Sequence, residues 1–88
     1  MQHKNAVLLG KLDNLFSLEF AVEDIAYIIG CSEGTISLWQ RGKSRPTKRT
    51  LRKLDIFLRL ASEGKYTPKE KRRLAQAVNL EFLEEDYL

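Results

Sequence analysis

The side chains best suited to chemistry in this chain are hydroxyl and cationic groups concentrated in one segment. Serines and threonines recur from Ser32 to Thr50, and they overlap a dense run of lysines and arginines. Residues 41–53 hold seven cations and no acid: Arg41, Lys43, Arg45, Lys48, Arg49, Arg52 and Lys53. Because like charges repel, such a run favours an anionic partner, and phosphate is the group that lysine and arginine bind best. A merely solvated surface is the alternative.

The flanking segments carry the opposite charge. The 88 residues have a formal net charge of +3, yet residues 41–73 hold thirteen lysines and arginines against three acids. Residues 1–40 carry a net charge of −3, and residues 74–88 carry −4. Positive charge confined to one block is typical of a nucleic-acid-binding surface. The later cations of this block, Lys69, Lys71, Arg72 and Arg73, form either a second phosphate contact or the polar face of a helix.

Catalytic and metal sites find no support in the residue inventory. Cys31 and His3 are the only cysteine and the only histidine, so they can form neither a disulfide within the chain nor a metal cluster. The sequence also shows no Cys-His or Ser-His-Asp arrangement of the kind that nucleophilic catalysis uses. The sequence has no glycine-rich phosphate loop. We therefore expect no enzymatic activity, cofactor, metal or small-molecule ligand. Cys31 is interpreted as a small core residue rather than a redox sensor.

The chain shows no targeting signal that would place it in or across a membrane. The N-terminus lacks the pattern of a signal peptide. The apolar runs are far shorter than the roughly 20 residues that a membrane-spanning helix needs. We expect a cytoplasmic, nucleoid-associated protein without a membrane partner.

Hydrophobic spacing predicts helices throughout and no strand. Apolar residues recur at three- and four-residue steps, and glycines or capping residues mark the ends. The predicted helices are Lys4–Leu18, Val22–Ile29, Ser32–Arg41, Lys48–Ser62 and a fifth from Pro68 to Asn79 or Glu85. We expect an all-α fold of five helices. Residues 1–64 would form the binding domain, and residues 65–88 its C-terminal helix and an acidic, apolar tail.

Residues 22–41 meet the demands of two helices that cross over a tight turn. Ala26 is small enough for a second helix to pass over it, and Gly30 can adopt the left-handed backbone of the turn. Apolar residues stand where the pair must join a core: Ile25, Ile29, Cys31, Ile36 and Trp39. The sequence predicts a helix-turn-helix, with Trp39 packed in the core rather than stacked on a base.

The segment from Ile25 to Pro46 resembles the Cro/C1-type (XRE-like) family of bacterial and phage repressors. The resemblance is carried by Ile25-Ala26, Ile29-Gly30-Cys31-Ser32, Thr35-Ile36-Ser37, Trp39-Gln40-Arg41-Gly42-Lys43 and Arg45-Pro46. It is specific over residues 21–60 and absent after Gly64. The family implies a lambda-repressor-like fold of four or five helices, sequence-specific binding of double-stranded DNA, and a homodimer on a palindromic operator.

The resemblance also implies roles for individual residues. The start of the helix from Ser32 to Gln40 would enter the major groove, where the family places base-contacting side chains at Glu33, Gly34 and Ser37. Thr35 would reach a base or a phosphate. The residues matching the loop that grips the DNA backbone are Arg41, Lys43, Ser44, Arg45 and Lys48.

Three positions depart from the family pattern. Ala21 and Val22 stand where the family commonly has threonine and glutamine, which cap the helix and contact phosphate. Glu33 stands where the family often has arginine, lysine or glutamine.

These inferences lead to a transcriptional regulator, most simply a repressor that occludes a promoter. The alternative is a protein-interaction adaptor or antitoxin-like module that uses the same scaffold. RNA binding has less support, because the aromatic residues look buried. The tail Leu80–Leu88 has two interpretations left open, which are packing onto the first helix and burial against a second copy.

Overall fold

The computed structural model describes residues 6–86, and their side chains as far as Glu84. These residues form five α-helices: α1 (Ala6–Ser17), α2 (Val22–Ile29), α3 (Glu33–Gln40), α4 (Lys48–Ser62) and α5 (Lys71–Asp86). A short 3₁₀ turn, Pro68–Glu70, precedes α5. Residues 6–86 contain no strand, so the prediction of a five-helix, all-α fold is confirmed.

The helix bounds follow the capping residues closely. The structure reproduces the predicted bounds of α2 and α4, and Ser32 is the N-cap of α3. The end of α1 differs by one residue, because Glu19 adopts a left-handed backbone with φ of 72° that turns Phe20 into the core. No sequence signal marks that turn, since glutamate has no preference for this conformation. The predicted helical residues Lys4 and Asn5 lie outside the described residues.

The start of the fifth helix also differs from the prediction. Pro68 begins a 3₁₀ turn, and the α-helix starts only at Lys71. Thr67 and Glu70 form the capping box that their spacing predicts, and in it the Glu70 carboxylate accepts a hydrogen bond from the backbone N–H of Thr67 at 3.2 Å. The helix then continues to Asp86, in agreement with the longer of the two predicted ends.

One hydrophobic core receives side chains from all five helices. Leu15, Ile25, Ile36, Leu54, Leu74 and Val78 are among the residues with no exposed surface. The rings of Phe20 and Phe57 meet edge to face, with their centroids 5.1 Å apart. Such a contact adds roughly 0.5–1.5 kcal/mol beyond the burial of the rings. The core therefore joins α2 and α3 to the other three helices.

Helix α4 lies at the centre of the packing, against α1, α2 and α5. Leucine and alanine spacing in α4 predicts one apolar stripe, Leu51, Leu54, Leu58 and Ala61. Leu54 and Ala61 are buried as this stripe predicts, but Ile56, Phe57 and Leu60 are buried as well. Two sides of the helix are covered, which a single-stripe pattern cannot reveal.

Helix α5 packs mainly against α4 and α2. Phe82 is buried at that contact, whereas Leu80 and Leu83 stay exposed. Tyr87 and Leu88, the last residues of the predicted tail, lie outside the described residues. Both interpretations of the tail, packing onto α1 and burial against a second copy, stay predictions.

We predict that α3 is held to the domain by its buried face alone. Ile36→Ala should lower the free energy of unfolding by about 2–4 kcal/mol, because Ile36 is fully buried and its removal leaves a cavity. Leu38→Ala is the matched control on the same helix, and it should cost less than about 1 kcal/mol, since Leu38 is 38% exposed. Urea denaturation followed by circular dichroism measures both. Equal losses would show that α3 is not anchored through Ile36.

Candidate functional site

The link between α2 and α3 is a turn of three residues, Gly30–Ser32. Gly30 has a left-handed backbone with φ of 86°, and its N–H donates to the Ala26 carbonyl at 2.8 Å. The N–H of Cys31 donates to the same carbonyl at 3.0 Å. This arrangement closes α2 and reverses the chain within one turn. Among L-residues the left-handed conformation is costly, so the glycine is required by the backbone here.

Two side chains fix the ends of α2 to other helices. The Lys53 ammonium group of α4 donates to the carbonyl of Ile29 at 3.2 Å. At the other end, the carboxylate of Asp24 accepts from the N–H of Ala21 at 2.9 Å and from Lys71 at 3.2 Å. Asp24 therefore supplies a helix cap, because neither Ala21 nor Val22 has a polar side chain that could form one. The cap comes from within the helix, three residues on, and its acidic side chain offers no phosphate contact.

Helix α3 begins with a hydroxyl cap. The Ser32 hydroxyl oxygen accepts from the N–H of Thr35 at 3.0 Å, and the two hydroxyl groups lie 2.9 Å apart. Thr35 is half-buried and its hydroxyl is already engaged in this cap. Of the predicted base-contacting residues, Glu33 and Gly34 are exposed and Ser37 is half-buried.

The outward face of α3 contains an apolar residue that the sequence interpretation overlooked. Ile36 and Trp39 face the core, which places Gly34 and Leu38 on the opposite side. A Cβ atom on Gly34 would meet only the Ser32 hydroxyl oxygen, at 3.7 Å. Leu38 is therefore not covered by a neighbour at Gly34, one turn earlier. The exposure of Leu38 could have been predicted from its spacing, because Leu38 is four residues after Gly34 and both lie on the side of α3 opposite Ile36.

The cationic loop starts where α3 ends. Gly42 has a φ of 72°, and the N–H of Lys43 donates to the carbonyl of Leu38 at 2.8 Å. Ser44 is half-buried in this loop. The four cationic side chains around it are exposed: Arg41, Lys43, Arg45 and Lys48. Thr47 caps α4 by accepting from the N–H of Thr50 at 3.2 Å. The loop cations therefore begin at the residue directly after α3, next to the end of its exposed face.

The seven-cation run divides into two groups with different surroundings. The guanidinium carbons of Arg49 and Arg52 each lie 4.8 Å from the centre of the Phe82 ring, and the Lys53 nitrogen lies 5.7 Å from it. These three cations face α5 instead of sharing the loop surface. Spacings of three and four residues align them with the buried Ile56, which is a signal the sequence carries. Phosphate binding by the run stays a prediction, and the three later cations have a packing role against α5 in addition.

A cleft of about 500 Å³ lies between the start of α1 and the loop. It is lined by Val7, Leu8, Lys11, Arg45, Pro46, Lys48, Leu51 and Asp55. Lys11 and Asp55 form an ion pair within it. The pair joins α1 to α4 beside the loop cations.

The described residues add two findings to the residue inventory. They contain no group of three or more metal-binding side chains. None of their helices has the length and apolar character needed to cross a bilayer.

Cys31 lies half-buried against the core at the turn. Burial raises the pKa of its thiol, and the nearby positive charge of Lys53 opposes this shift with a smaller effect. The thiol is thus held in its neutral form over a wider pH range than a free cysteine.

We predict that Cys31 reacts slowly with iodoacetamide, because the thiolate is the reactive form. At pH 8 the folded protein should be alkylated more slowly than the same chain in urea, and the rate should rise at a higher pH. Lys53→Met should slow the reaction further, with circular dichroism confirming that the helices persist. Faster alkylation of the folded protein than of the unfolded chain would contradict this assignment.

Comparison with known proteins gives this chain no relative. No protein-family model matches it, and neither a curated protein nor a solved structure does.

Proposed function

We propose that this protein binds double-stranded DNA sequence-specifically and acts as a transcriptional regulator, a repressor of the bacterial or phage type. One observation carries the proposal: two short helices joined by a three-residue turn, the second with an exposed face that runs directly into four exposed cations. This combination is what a helix-turn-helix needs to enter a major groove and hold the backbone beside it. The resemblance of residues 25–46 to Cro/C1-type repressors with a lambda-repressor-like fold supports the same function.

The loop cations would supply most of the affinity. Arg41, Lys43, Arg45 and Lys48 are long, exposed and close together in sequence, so each can reach a phosphate. Four phosphate contacts per chain correspond to a fall in log affinity of about 3.6 per tenfold rise in salt. Binding should therefore weaken steeply as salt increases.

Base recognition would depend on a small set of side chains. Glu33 can accept a hydrogen bond from the amino group of cytosine, and Ser37 can bond to several bases. Leu38 adds an apolar surface that fits the methyl group of thymine. Because Gly34 adds no side chain, we expect a short recognition sequence per chain.

A homodimer would extend that short sequence. Two copies related by a twofold axis would present their α3 helices about 34 Å apart, one turn of DNA. This geometry corresponds to a palindromic operator. Occlusion of a promoter that overlaps the operator would be the simplest way for the protein to repress transcription. The proposal includes no catalytic step and no cofactor.

The exposed face of α3 also favours a second candidate, a protein-interaction adaptor or antitoxin-like module. Leu38 is an apolar contact point next to the acidic Glu33, and protein partners bind such a surface readily. An adaptor would bind no duplex DNA at any salt concentration, so a salt titration separates the two functions.

We predict that the loop cations contribute to binding of every duplex. Lys43→Ala and Arg45→Ala should each weaken binding about fivefold to tenfold and reduce the salt slope by about one. Lys65→Ala is the charge-matched control, because Lys65 lies beyond the far end of α4. Fluorescence anisotropy with duplexes selected from a random pool measures all three. If the Lys65 variant loses as much affinity as the loop variants, the loop is not the binding surface.

We predict a different effect for the outward face of α3. Ser37→Ala and Leu38→Ala should change the ranking of duplex sequences while leaving the salt slope unaltered, because neither residue carries charge. Repeating the selection from the random pool with each variant measures this. If both variants select the same duplex sequences as the original protein, α3 does not recognise bases. This conclusion would hold even if the loop variants behave as expected.

A further inference from the structure

The cleft between α1 and the cationic loop has the size of a small-molecule site. Its volume of about 500 Å³ falls within the roughly 300–1,000 Å³ that is usual for ligand-binding pockets. Its lining comes from three separate parts of the chain, which are the first half of α1, the loop and the first half of α4. The cleft therefore forms only when α1 packs beside the loop, and no local sequence pattern predicts it.

Half of the residues that line the cleft are apolar. They are Val7, Leu8, Pro46 and Leu51. Leu8 is buried in the core, whereas Val7 is 70% exposed, which makes it the most exposed large apolar side chain that the structure describes. A ligand with an apolar body would remove this surface from water, and that burial favours binding.

The charged residues of the lining favour an anion. They are three cations and one acid, so their net charge is 3 − 1 = +2. The acid, Asp55, already forms an ion pair with Lys11. The other two cations, Arg45 and Lys48, are exposed, and neither has an ion-pair partner among the described side chains. Two positive charges are thus available to a ligand in the cleft.

The start of α4 adds to this preference for an anion. Lys48 is the first residue of α4, so the positive end of the helix dipole lies at the cleft. The first turn of α4 contains no acidic side chain that would offset it. An anion beside Lys48 would therefore meet the helix dipole as well as the two side-chain charges.

We propose that the cleft binds a small amphipathic carboxylate, a fatty acid of medium length. The carboxylate lies between the guanidinium group of Arg45 and the ammonium group of Lys48, and the hydrocarbon chain covers Val7 and Leu51. The planar guanidinium group can donate to both carboxylate oxygens at once. An inorganic anion would leave the apolar lining in water, and a neutral apolar molecule would leave both cations without a partner.

The ligand also opposes DNA binding, and this second part of the inference rests on the proposed function. Arg45 and Lys48 are two of the four loop cations assigned to phosphates. A carboxylate bound to both leaves two cations for DNA, so the fall in log affinity per tenfold rise in salt should drop from about 3.6 to about 1.8. Because such coupling is reciprocal, DNA weakens the binding of the carboxylate by the same factor. A small apolar acid would thus release the regulator from its operator.

Octanoate is the probe for the cleft, and three related molecules test each part of the assignment. Octanoate should bind with a Kd of roughly 1 mM, as suits so small a ligand. Octanol lacks the charge, acetate lacks the chain and octylamine carries the opposite charge, so each should bind at least about fivefold more weakly. Titration followed by methyl NMR measures all four. The largest shifts with octanoate should fall on the methyl groups of Val7, Leu8 and Leu51.

Matched substitutions distinguish the cleft from the rest of the surface. Arg45→Gln should weaken octanoate binding about fivefold, whereas Lys43→Gln, at a loop cation outside the lining, should change it less than about twofold. Val7→Ser should weaken octanoate binding about threefold, because it removes apolar contact area. Leu80→Ser is its control, since Leu80 is 64% exposed on α5 and lies outside the lining.

Asp55→Asn tests the position of the carboxylate by a gain of affinity. The substitution removes a charge of the same sign as the ligand and frees Lys11 from its ion pair. Octanoate should then bind about threefold more tightly. A damaged fold would not produce this gain, and circular dichroism checks that the helices persist in every variant.

Fluorescence anisotropy with a selected duplex measures the competition. Octanoate at about 10 mM should weaken DNA binding about tenfold, whereas the same concentration of acetate should have almost no effect. Val7→Ser should bind DNA as the original protein does without octanoate, and it should need about threefold more octanoate for the same loss.

Each outcome supports or overturns a defined part of the inference. Absence of shifts at the cleft methyl groups in about 20 mM octanoate overturns the site, and so does equal binding of octanol. Equal losses of octanoate affinity in Arg45→Gln and Lys43→Gln also overturn it. Octanoate that binds the cleft without weakening DNA binding overturns only the competition. If the chain binds octanoate in the cleft but no duplex, the site stands and the proposed function fails.

Discussion

The left-handed turn at Gly30 is the constraint on which the arrangement of the site depends. Both amides that follow α2 return to the Ala26 carbonyl, so the chain can only leave the helix in one direction. Ile36 and Trp39 then enter the core, and the opposite side of α3 is left in solvent. A side chain at position 30 that resisted the positive φ would shift α3 and separate it from the cationic loop.

The cations of α4 divide between structure and surface. Arg49 and Arg52 lie over the buried ring of Phe82, and Lys53 closes the C-terminal end of α2. These positions help to hold α4 against α5 and α2. Charge counted along the sequence therefore overstates the charge available to an anionic ligand, because part of it is used to join helices.

Much of the fold could be predicted from the sequence, since the helices obey simple local rules. Ser32 and Thr47 are strong N-caps, and they mark the starts of α3 and α4 to the residue. The turn at Glu19 was not predictable, because its left-handed backbone is imposed by the burial of Phe20 rather than by residue preference.

The candidate site was predictable in part, for a related reason. Residues Ser32–Lys48 are continuous in the sequence, so the sequence alone predicts that they lie close together. The cleft beside Lys11 and the exposure of Leu38 depend on how α1 and α4 pack, which no local pattern encodes. The cap from Asp24 was not predicted, because the family pattern has its capping side chain at position 21, whereas in this chain the acid three residues later accepts the hydrogen bond.

Gly34 has a consequence for how this protein can change. A glycine inside a helix forgoes about 1 kcal/mol relative to alanine, and only the Ser32 hydroxyl oxygen lies within 4 Å of where a Cβ would stand. A larger residue would therefore strengthen α3 and enter open solvent without disturbing the core. Position 34 on the exposed surface of α3 has room for a side chain. One substitution there can give the protein a new contact with a ligand while its fold stays the same.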